Sequence, residues 1–405
     1  MKINSKKNRI QSVDIYFAGE PTGGLTKRAQ FEFNYHSNAS TPVASAMPLD
    51  TVAYQRNALF PIFEMNIPEG YIRQRIFERL QKHIKVDEML FLALQGASGV
   101  GCLSYRCPEI EHEVQAPEEL STLLAWDGDE ELFETLVDKF LLQTSISGVQ
   151  PKVLVPETFI REKDALVLPS LIVKSSDDQY PQCALNEFIC MSLAKACDIE
   201  TPEFWLSENH ELFIMRRFDL QPNGDCRAME DMAVLQGKTS NAKYDASYES
   251  IAKAIDLYSS APTLDKEIFF RMIVHSCMMG NGDGHLKNYA MLYDHVDNMR
   301  LSPLYDVVNT QVYVNNDTLA LSLGKRKDFP DRRRIIDFAR VLGVKKPDDI
   351  IDSFAETIMQ ELSNLESFTD EMNSDIAGLI KQNIHTLTTL SPIKKRSARK
   401  HTKHP

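Results

Sequence analysis

The chain has 405 residues, 45 lysines and arginines against 57 aspartates and glutamates, and a formal net charge of -12 at pH 7. This length predicts about two or three domains and excludes a small disulfide-stapled scaffold. The acidic balance argues against a protein that binds nucleic acid or membrane surfaces through bulk charge.

The seven cysteines favour a reducing compartment, because their number is odd and none forms a C-x-x-C pair. Cys183, Cys190 and Cys197 recur every seven residues, which suits a metal or redox site but is more typical of small buried groups on one helix face. The N-terminus lacks the apolar stretch of a signal peptide, and no apolar run approaches the ~20 residues that span a bilayer. We therefore expect a cytoplasmic protein that does not associate with membranes.

The first hundred residues alternate apolar and polar side chains in the way that strands do. Residues 13–17 predict one strand, the glycines and proline between Gly19 and Gly24 predict a turn, and residues 29–35 predict a second strand. Helical spacing follows, with Asp87 as the N-cap of a helix that Gly96 ends. This part of the chain is expected to form a small α+β unit.

The middle of the chain alternates buried strands with one helix, and the remainder is mostly helical. The strands are predicted at 153–155, 171–173 and 212–215, and the helix at 186–196. Further helices are predicted at 248–258, 264–279, 335–342, 349–362 and 371–387. A mostly β half followed by a mostly helical half is the outline of a two-lobed enzyme. The last fifteen residues carry six lysines and arginines and no acid, which predicts a disordered basic tail.

The most informative segment is GNGDGHLKNYAML, which begins at Gly280. Asp283 and Asn288 are separated by four residues, the D-x-x-x-x-N spacing of the protein-kinase catalytic loop, in which the Asp orients the substrate hydroxyl and the Asn ligates Mg²⁺. A strand-like segment follows, and then LSPLYD places Asp306 where kinases have the metal-binding Asp of D-F-G. Phosphoryl transfer needs such a carboxylate near the attacking hydroxyl and oxygen ligands for magnesium.

Two upstream residues complete the pattern. The strand LIVK ends at Lys174 and resembles the V-A-I-K strand, whose lysine neutralises nucleotide phosphates, and Glu187 on the next helix is its expected partner. Taken singly, Asp283 could cap a turn, Lys174 could be a solvated edge lysine, and Glu187 could be a surface charge. The preceding loop contains neither a G-x-G-x-x-G nor a Walker A motif. It is the order of the elements that favours a kinase.

These strings resemble those of the HipA-type serine/threonine kinases, the toxins of bacterial toxin–antitoxin modules. The resemblance covers residues from about 13 to 385 and rests on SISGVQPK, IVK, MRRFD, EDMAVLQG, NGDGHLKN and LSPLYD, with IPEG and GASGVGCLSY in the N-terminal part. It implies an α+β, two-lobed protein-kinase-like fold. We expect an N-terminal α+β subdomain (1–105), a kinase N-lobe (106–217), a helical C-lobe (218–390) and the basic tail (391–405).

The resemblance also implies ATP and Mg²⁺ as cofactors and a role for each residue of the pattern. Asp283 would be the catalytic base, Asn288 and Asp306 the magnesium ligands, and Lys174 the phosphate-binding lysine. His285 would lie near the phosphates, although a histidine that merely orders the loop fits the sequence equally well.

Further roles fall on the hinge and on the loop before the strand lysine. Phe218 would offer its backbone to adenine, and Asp219 would reach the ribose. Arg216 stands where the family often has an acidic residue, a change that a backbone contact to adenine would tolerate. Gly148 and Val149 would supply N–H groups to the ATP phosphates.

The family silences its kinase by autophosphorylation of a serine in that loop. Ser145 is the preferred candidate here and Ser147 the second, because added phosphate charge beside bound triphosphate would push the loop away. Ser147 could instead simply cap a turn.

The implied partners are a helix-turn-helix antitoxin of the HipB type, operator DNA only through that antitoxin, and a protein substrate such as an aminoacyl-tRNA synthetase. A corepressor with little kinase activity and a small-molecule kinase stay open as alternatives. A basic cluster could face DNA or form a solvated loop, which is favoured; it comprises Lys325, Arg326, Lys327, Arg332, Arg333 and Arg334.

Overall fold

The structure is a computed structural model that describes residues 2–3, 9–51, 53–112, 115–127, 130–143, 150–161, 164–221, 223–365 and 371–389. Its strands are β1 (Lys2–Ile3), β2 (Ser12–Phe17), β3 (Glu20–Lys27), β4 (Phe31–Tyr35), β5 (Ala53–Arg56), β6 (Leu103–Arg106), β7 (Ile110–Glu111), β8 (Lys152–Arg161), β9 (Asp164–Ser175), β10 (Phe204–Leu206), β11 (Leu212–Arg216), β12 (Ala228–Asp231), β13 (Ala290–Tyr293) and β14 (Arg300–Leu301). Its helices are α1 (Pro61–Glu64), α2 (Gly70–Leu80), α3 (Glu88–Gln95), α4 (Leu120–Leu124), α5 (Glu130–Phe140), α6 (Cys183–Ala196), α7 (Met232–Leu235), α8 (Tyr248–Tyr258), α9 (Pro262–Met279), α10 (Arg332–Leu342), α11 (Pro347–Leu365) and α12 (Glu371–Thr388).

The N-terminal part contains a five-stranded antiparallel sheet in the order β5-β4-β3-β2-β6. The predicted turn between Gly19 and Gly24 is wrong, because most of it belongs to the central strand β3. Pro21 is tolerated there because it lies at a register shift opposite Tyr16, where the ladder is irregular. Gly23 is needed for packing, since an added Cβ would lie 2.7 Å from the ring of Phe33. Local turn signals were therefore overruled by tertiary contacts.

A second antiparallel sheet, ordered β10-β11-β9-β8, positions the strand lysine. The predicted strands at 153–155 and 171–173 are the buried parts of the longer hairpin β8–β9. Lys174 lies opposite Lys152 of β8 and opposite Phe213 of β11. Because directly opposed residues share a face of a sheet, the two lysines point to the same side.

Helix α6 packs against this sheet and buries the three regularly spaced cysteines. Cys183, Cys190 and Cys197 are free thiols with at most 6% exposure, so the prediction that they are packing groups is confirmed. The helices of the second half begin and end within three residues of their predicted bounds. Helix α9 ends at Gly280, which adopts a left-handed φ of 71° and caps the helix. No helix among the described residues is long and apolar enough to cross a bilayer.

The N-terminal part is joined to the second half of the chain by a disulfide bond and by buried hydrogen bonds. Cys102 and Cys226 form a disulfide, although the cysteine pattern favoured thiols kept reduced. Ser45 donates through its backbone N–H and its hydroxyl, each at 2.9 Å, to the buried Glu230. The hydroxyl of Tyr293 donates to the same carboxylate at 2.6 Å. The two parts therefore share one buried interface.

Candidate active site

A cavity of about 370 Å³ is lined by residues of β8, β9 and β11 and by loops of the helical half. Its wall contains all the predicted site residues that the structure describes, namely Lys174, Phe218, Asp219, Asp283, His285, Asn288 and Asp306. Residues 144–149, which include the predicted Ser145, Ser147, Gly148 and Val149, lie outside the described residues. Side chains that are far apart in the sequence therefore face one cavity.

Three of these side chains form a continuous chain of charge-assisted hydrogen bonds together with the buried Glu187. The Lys174 ammonium donates to Glu187 Oε1 at 2.5 Å and to Asp306 Oδ1 at 2.8 Å. The Asn288 amide donates to Asp306 Oδ2 at 2.8 Å. Burial alone would lower the pKa of Lys174, but the charges of Asp306 and Glu187 outweigh it and raise that pKa, so the lysine stays charged.

Asp306 combines an unusual backbone with a half-open carboxylate. Its φ of 60° is left-handed, a conformation that aspartate tolerates better than most residues and that is frequent at functional sites. Burial would raise the pKa of its carboxyl, but Lys174 and Lys152 hold the pKa well below its usual range. One third of the side chain (33%) remains exposed. The residue is thus an anion that a ligand in the cavity can reach.

The loop after α9 brings Asp283 and Asn288 to the same cavity. Gly282 passes so close to Asp317 that an added Cβ would lie 2.2 Å from a carboxylate oxygen. The backbone N–H of Asp283 donates to Asn281 Oδ1 at 3.0 Å, and a 3₁₀ turn at Leu286–Asn288 then reverses the chain. The four intervening residues therefore form one tight turn that places both polar side chains on the cavity wall.

Asp283 lies at the mouth of the cavity, where its Oδ1 accepts a hydrogen bond from the Tyr244 hydroxyl at 2.9 Å. The side chain is open to solvent, yet the surrounding protein removes much of its hydration and Asp306 adds a negative charge nearby. Together these raise the pKa of Asp283 to about 6, against the opposing hydrogen bond from Tyr244. The carboxylate is therefore ionised at pH 7 and close to the range in which general bases work best.

Comparison with known families decides the relationship of this chain. The family described as the HipA-like C-terminal domain matches residues 144–363, more than half of the chain, and the HipA N-terminal domain matches residues 13–106. The chain belongs to the HipA family. The family predicted from the sequence is therefore confirmed.

Individual relatives agree with this HipA assignment. “Putative kinase Y4dM” of Sinorhizobium fredii is 29% identical over 357 residues, which cover 79% of this chain and 82% of the relative. A “Putative kinase” of Haemophilus influenzae is 30% identical over 205 residues, or 45% of this chain and 59% of the relative. The HipA chain of a Shewanella oneidensis MR-1 toxin–antitoxin complex with HipB and operator DNA superposes with a TM-score of 0.67 at 19% identity. That match covers 92% of this chain and 95% of the other, so the predicted two-lobed α+β fold is confirmed.

The residues of this HipA protein fit a magnesium ion that arrives with a nucleotide. Magnesium prefers oxygen ligands and is often held by one or two protein groups together with substrate phosphates. The Asp306 carboxylate and the Asn288 amide oxygen are of that kind, although it is the Asn288 amide nitrogen that faces Asp306 here, while its oxygen accepts from the His285 backbone N–H. Among the described residues no group of three or more His, Cys, Asp or Glu side chains is placed to hold a metal. The remaining ligands would have to be phosphate oxygens and water.

His285 orders the loop after α9 through its backbone, whose N–H donates to Asn288 Oδ1 at 2.9 Å. Its ring is buried and packs edge-on against Tyr244, with 5.1 Å between ring centroids. Burial, together with the positive charge of Lys243, lowers the pKa of His285 to about 4. The imidazole is therefore neutral at pH 7 and adds no positive charge to the cavity, although it lines the wall.

The hinge residues differ in how they face the cavity. The Phe218 ring lies 5.0 Å from the ring of Tyr305, and the two form an aromatic wall. Asp219 is buried, and its carboxylate accepts two hydrogen bonds from Arg217, at 3.0 and 2.6 Å. It also accepts one from the Gly101 backbone at 2.7 Å. Asp219 thus joins the hinge to the N-terminal part, and its contact with ribose stays a prediction.

Three residues were not singled out from the sequence, although each lies in a string that resembles HipA proteins: Lys152 and Tyr244, which line the cavity, and Glu69, which pairs with two of its lysines. Lys152 ends SISGVQPK, Glu69 belongs to IPEG, and Tyr244 is the second residue of KYDASYESIAKAI, which follows EDMAVLQG. Glu69 accepts from Lys287 at 2.7 Å and from Lys243 at 2.9 Å. Motif membership alone could have identified them, but their contacts could not be read from spacing.

Three of the six residues of the basic cluster are paired with carboxylates. Arg332 is buried and donates to Asp348 and Asp352, each at 2.6 Å. Arg326 and Arg334 both pair with Asp328, at 2.7 and 3.0 Å. Charges that are paired within the chain offer little free attraction for DNA phosphates, which favours the solvated-loop interpretation.

Proposed function

We propose that this HipA-family protein is an ATP- and magnesium-dependent protein kinase that phosphorylates serine or threonine hydroxyls. The observation that carries the proposal is the bonded chain Glu187–Lys174–Asp306–Asn288, of which the last three residues line the same cavity as Asp283. This set contains every protein group that phosphoryl transfer requires: a phosphate-binding cation, two oxygen ligands for magnesium and a carboxylate for the nucleophile. The relatives that are named as putative kinases support it.

Lys174 would bind the α- and β-phosphates, and Glu187 would hold its ammonium in place. The pair is already formed and buried, with 3% and 0% of the side chains exposed, so little reorganisation is needed when nucleotide arrives. Asp306 and Asn288 would hold magnesium by their oxygens. When bound, magnesium would neutralise the charge that develops on the transferred phosphoryl group.

The apolar part of the cavity suits a planar base. Ile172, Met215 and Met229 line it together with Phe218 and Tyr305. Such walls give adenine dispersion contacts, while polar contacts come from the hinge backbone.

Asp283 would accept the proton of the substrate hydroxyl as its oxygen attacks the γ-phosphorus, and ADP would leave on the opposite side. One carboxylate oxygen is held by Tyr244. The orientation of the base is therefore fixed while its second oxygen is available to the substrate.

The biological role is proposed as that of a growth-inhibiting toxin in a toxin–antitoxin module. The support is the family membership together with the Shewanella oneidensis HipA, which was solved with HipB and operator DNA. We propose a helix-turn-helix antitoxin as partner, a translation component such as an aminoacyl-tRNA synthetase as substrate, and autophosphorylation at Ser145 or Ser147 as regulation.

A second candidate, a corepressor that acts mainly through an antitoxin on DNA, is favoured by the same complex. The experiment that separates the two is incubation of the purified full-length protein with labelled ATP and Mg²⁺, with and without candidate proteins. Matched variants are Asp283→Asn and Asp306→Asn, with the exposed Lys253→Met as control. Transfer to a serine or threonine that is lost in both aspartate variants supports the kinase. Absence of transfer by the wild-type protein, together with intact antitoxin binding, refutes it in favour of the corepressor.

A further inference from the structure

The N-terminal part of the chain reaches the candidate active site through a carboxylate that the proposed mechanism has not used. Glu69 stands at the N-cap of α2, but its side chain makes no capping hydrogen bond. Its Oε1 instead accepts from the Lys287 ammonium at 2.7 Å, and its Oε2 accepts from the Lys243 ammonium at 2.9 Å. Both lysines line the cavity. Each oxygen of this carboxylate therefore holds a residue of the cavity wall.

The two lysines belong to the two segments that position the proposed base. Lys287 lies in the tight turn that follows Asp283. Lys243 directly precedes Tyr244, whose hydroxyl donates to Asp283 at 2.9 Å. The backbone oxygen of Lys243 also accepts from the Leu286 N–H at 3.2 Å, so the two segments are in direct contact. One carboxylate of the N-terminal part thus connects both of them.

The same turn also adjoins the proposed magnesium ligands. The backbone oxygen of Lys287 accepts from the Tyr305 hydroxyl at 2.8 Å, and Tyr305 directly precedes Asp306. Lys287 itself directly precedes Asn288, whose amide donates to Asp306 at 2.8 Å. A displacement of Lys287 would therefore move the base and the magnesium ligands relative to each other.

The charges show why the position of both segments depends on Glu69. The side chains of Lys243 and Lys287 are 11% and 6% exposed, and that of Glu69 is 18% exposed. Two ammonium groups that share one carboxylate lie close enough to repel each other strongly when poorly solvated. Without the charge of Glu69, at least one lysine would have to move away, and the segment that carries it would follow.

We infer that Glu69 is a positioning residue for phosphoryl transfer, which holds the loop of Asp283 and Asn288 in its working geometry. The inference rests on the proposed kinase function and deepens it, because the rate then depends on a residue behind the cavity wall. The N-terminal part also contributes Met65 and Val100 to that wall. It is thereby a component of the active site and not an appended unit.

The test is phosphoryl transfer from labelled ATP by the full-length protein, measured as kcat and as KM for ATP. The variants are Glu69→Gln, which keeps the shape and removes the charge, and Glu69→Asp, which keeps the charge. The control is Glu134→Gln, since Glu134 is 52% exposed and also accepts from α2, at Tyr71 and Arg75.

Glu69→Gln should lower kcat by about 10²-fold, because a catalytic group misplaced by about 1 Å costs that much. Its KM for ATP should change by less than about threefold, since the lysine that binds the phosphates is untouched. Glu69→Asp should recover part of the loss. Glu134→Gln should stay within about twofold of the wild type, because an exposed ion pair contributes little.

A merely structural role of Glu69 would give another result. Loss of stability reduces the number of chains that bind ATP but not the rate of each binding chain. Calorimetric titration with ATP counts those chains, and kcat per ATP site should still be lowered in Glu69→Gln. In a Lys287→Met background, the further loss caused by Glu69→Gln should be smaller, because one of its two contacts is already absent. A normal kcat per ATP site, or losses that multiply in the double variant, would overturn the inference.

Failure of the proposed function can be told apart from failure of this inference. If the wild type transfers phosphate and Glu69→Gln transfers it equally fast, only the role of Glu69 is refuted. If the wild type transfers none, the kinase proposal fails, and amide hydrogen exchange decides whether Glu69 holds the loop. Faster exchange in residues 240–248 and 280–293 of Glu69→Gln, absent in Glu134→Gln, supports it. Any other exchange result overturns it.

Discussion

The buried pair of Lys174 and Glu187 gives the most quantitative prediction. The two side chains are 3% and 0% exposed, and their charged atoms lie 2.5 Å apart. Replacing Lys174 with Met leaves a buried carboxylate without its cation, which should lower the free energy of unfolding by about 3–5 kcal/mol. Glu187→Gln leaves the lysine paired with Asp306, so its cost should be about 1–3 kcal/mol.

The double variant Lys174→Met/Glu187→Gln removes both charges together. Its loss should be smaller than the sum of the single losses, by a coupling energy of about 1–3 kcal/mol. The assay is urea unfolding of the full-length protein, followed by the fluorescence of its two tryptophans. One of them, Trp205, lies on β10 of the same sheet and reports on the site locally.

The matched control is Lys139→Met, which breaks the pair with Glu118 at 2.6 Å, where both side chains are 27% exposed. A pair this accessible to solvent should contribute less than about 1 kcal/mol. Two outcomes would show that burial does not decide the strength of these ion pairs. One is that the losses of unfolding free energy in the single variants add up to that of the double variant, and the other is that Lys139→Met loses as much as Lys174→Met.

Three further predictions concern pH and the cavity. Burial and the Asp306 charge raise the pKa of Asp283 to about 6. The rate of phosphoryl transfer should therefore fall below that pH and reach about a tenth of its plateau at pH 5. A rate that stays constant from pH 5 to 8 contradicts the assignment of Asp283 as the base. Tyr244→Phe removes a hydrogen bond that lowers this pKa, so the midpoint of the same profile should move to higher pH, and an unchanged midpoint would exclude the contact in solution. Burial raises the pKa of Glu69, but the charges of Lys287 and Lys243 outweigh it and lower that pKa from 4.5 to about 2. The stability that ionised Glu69 gives to the folded protein is therefore present above pH 4.5 and is lost as the pH falls toward 2. Glu69→Gln should therefore be less stable than the wild type at pH 7, with a difference that shrinks by pH 3 in denaturant unfolding.

Elements governed by local signals could be predicted from the sequence. The helix Tyr248–Tyr258 was placed correctly because Ser247 caps it and its apolar face repeats regularly. Asp87, predicted as an N-cap, accepts from the Leu90 backbone at 3.3 Å. Strand β3 was missed because its glycines signal a turn, and Gly23 is explained by its neighbours on β4, the backbone oxygen of Asn34 and the ring of Phe33.

The site was predictable in its motif residues and not in its supporting contacts. Asp283, Asn288 and Asp306 follow from kinase spacing, since that spacing reflects a loop closed within a few residues. The contact of Tyr244 with Asp283 spans 39 residues and the Cys102–Cys226 bond spans 124. Such pairings depend on how the whole chain packs, and no local pattern encodes them.

The bonded chain through Lys174 has a consequence for control. Lys174 on its strand is connected both to Glu187 on helix α6 and to Asp306. Under the proposed function, no swing of helix α6 is then required before turnover, and the enzyme is poised in its working state by default. Inhibition of the kinase would then require either that entry to the cavity is blocked or that a second protein binds. A cell that produces such a kinase would need the inhibiting protein to be present beforehand.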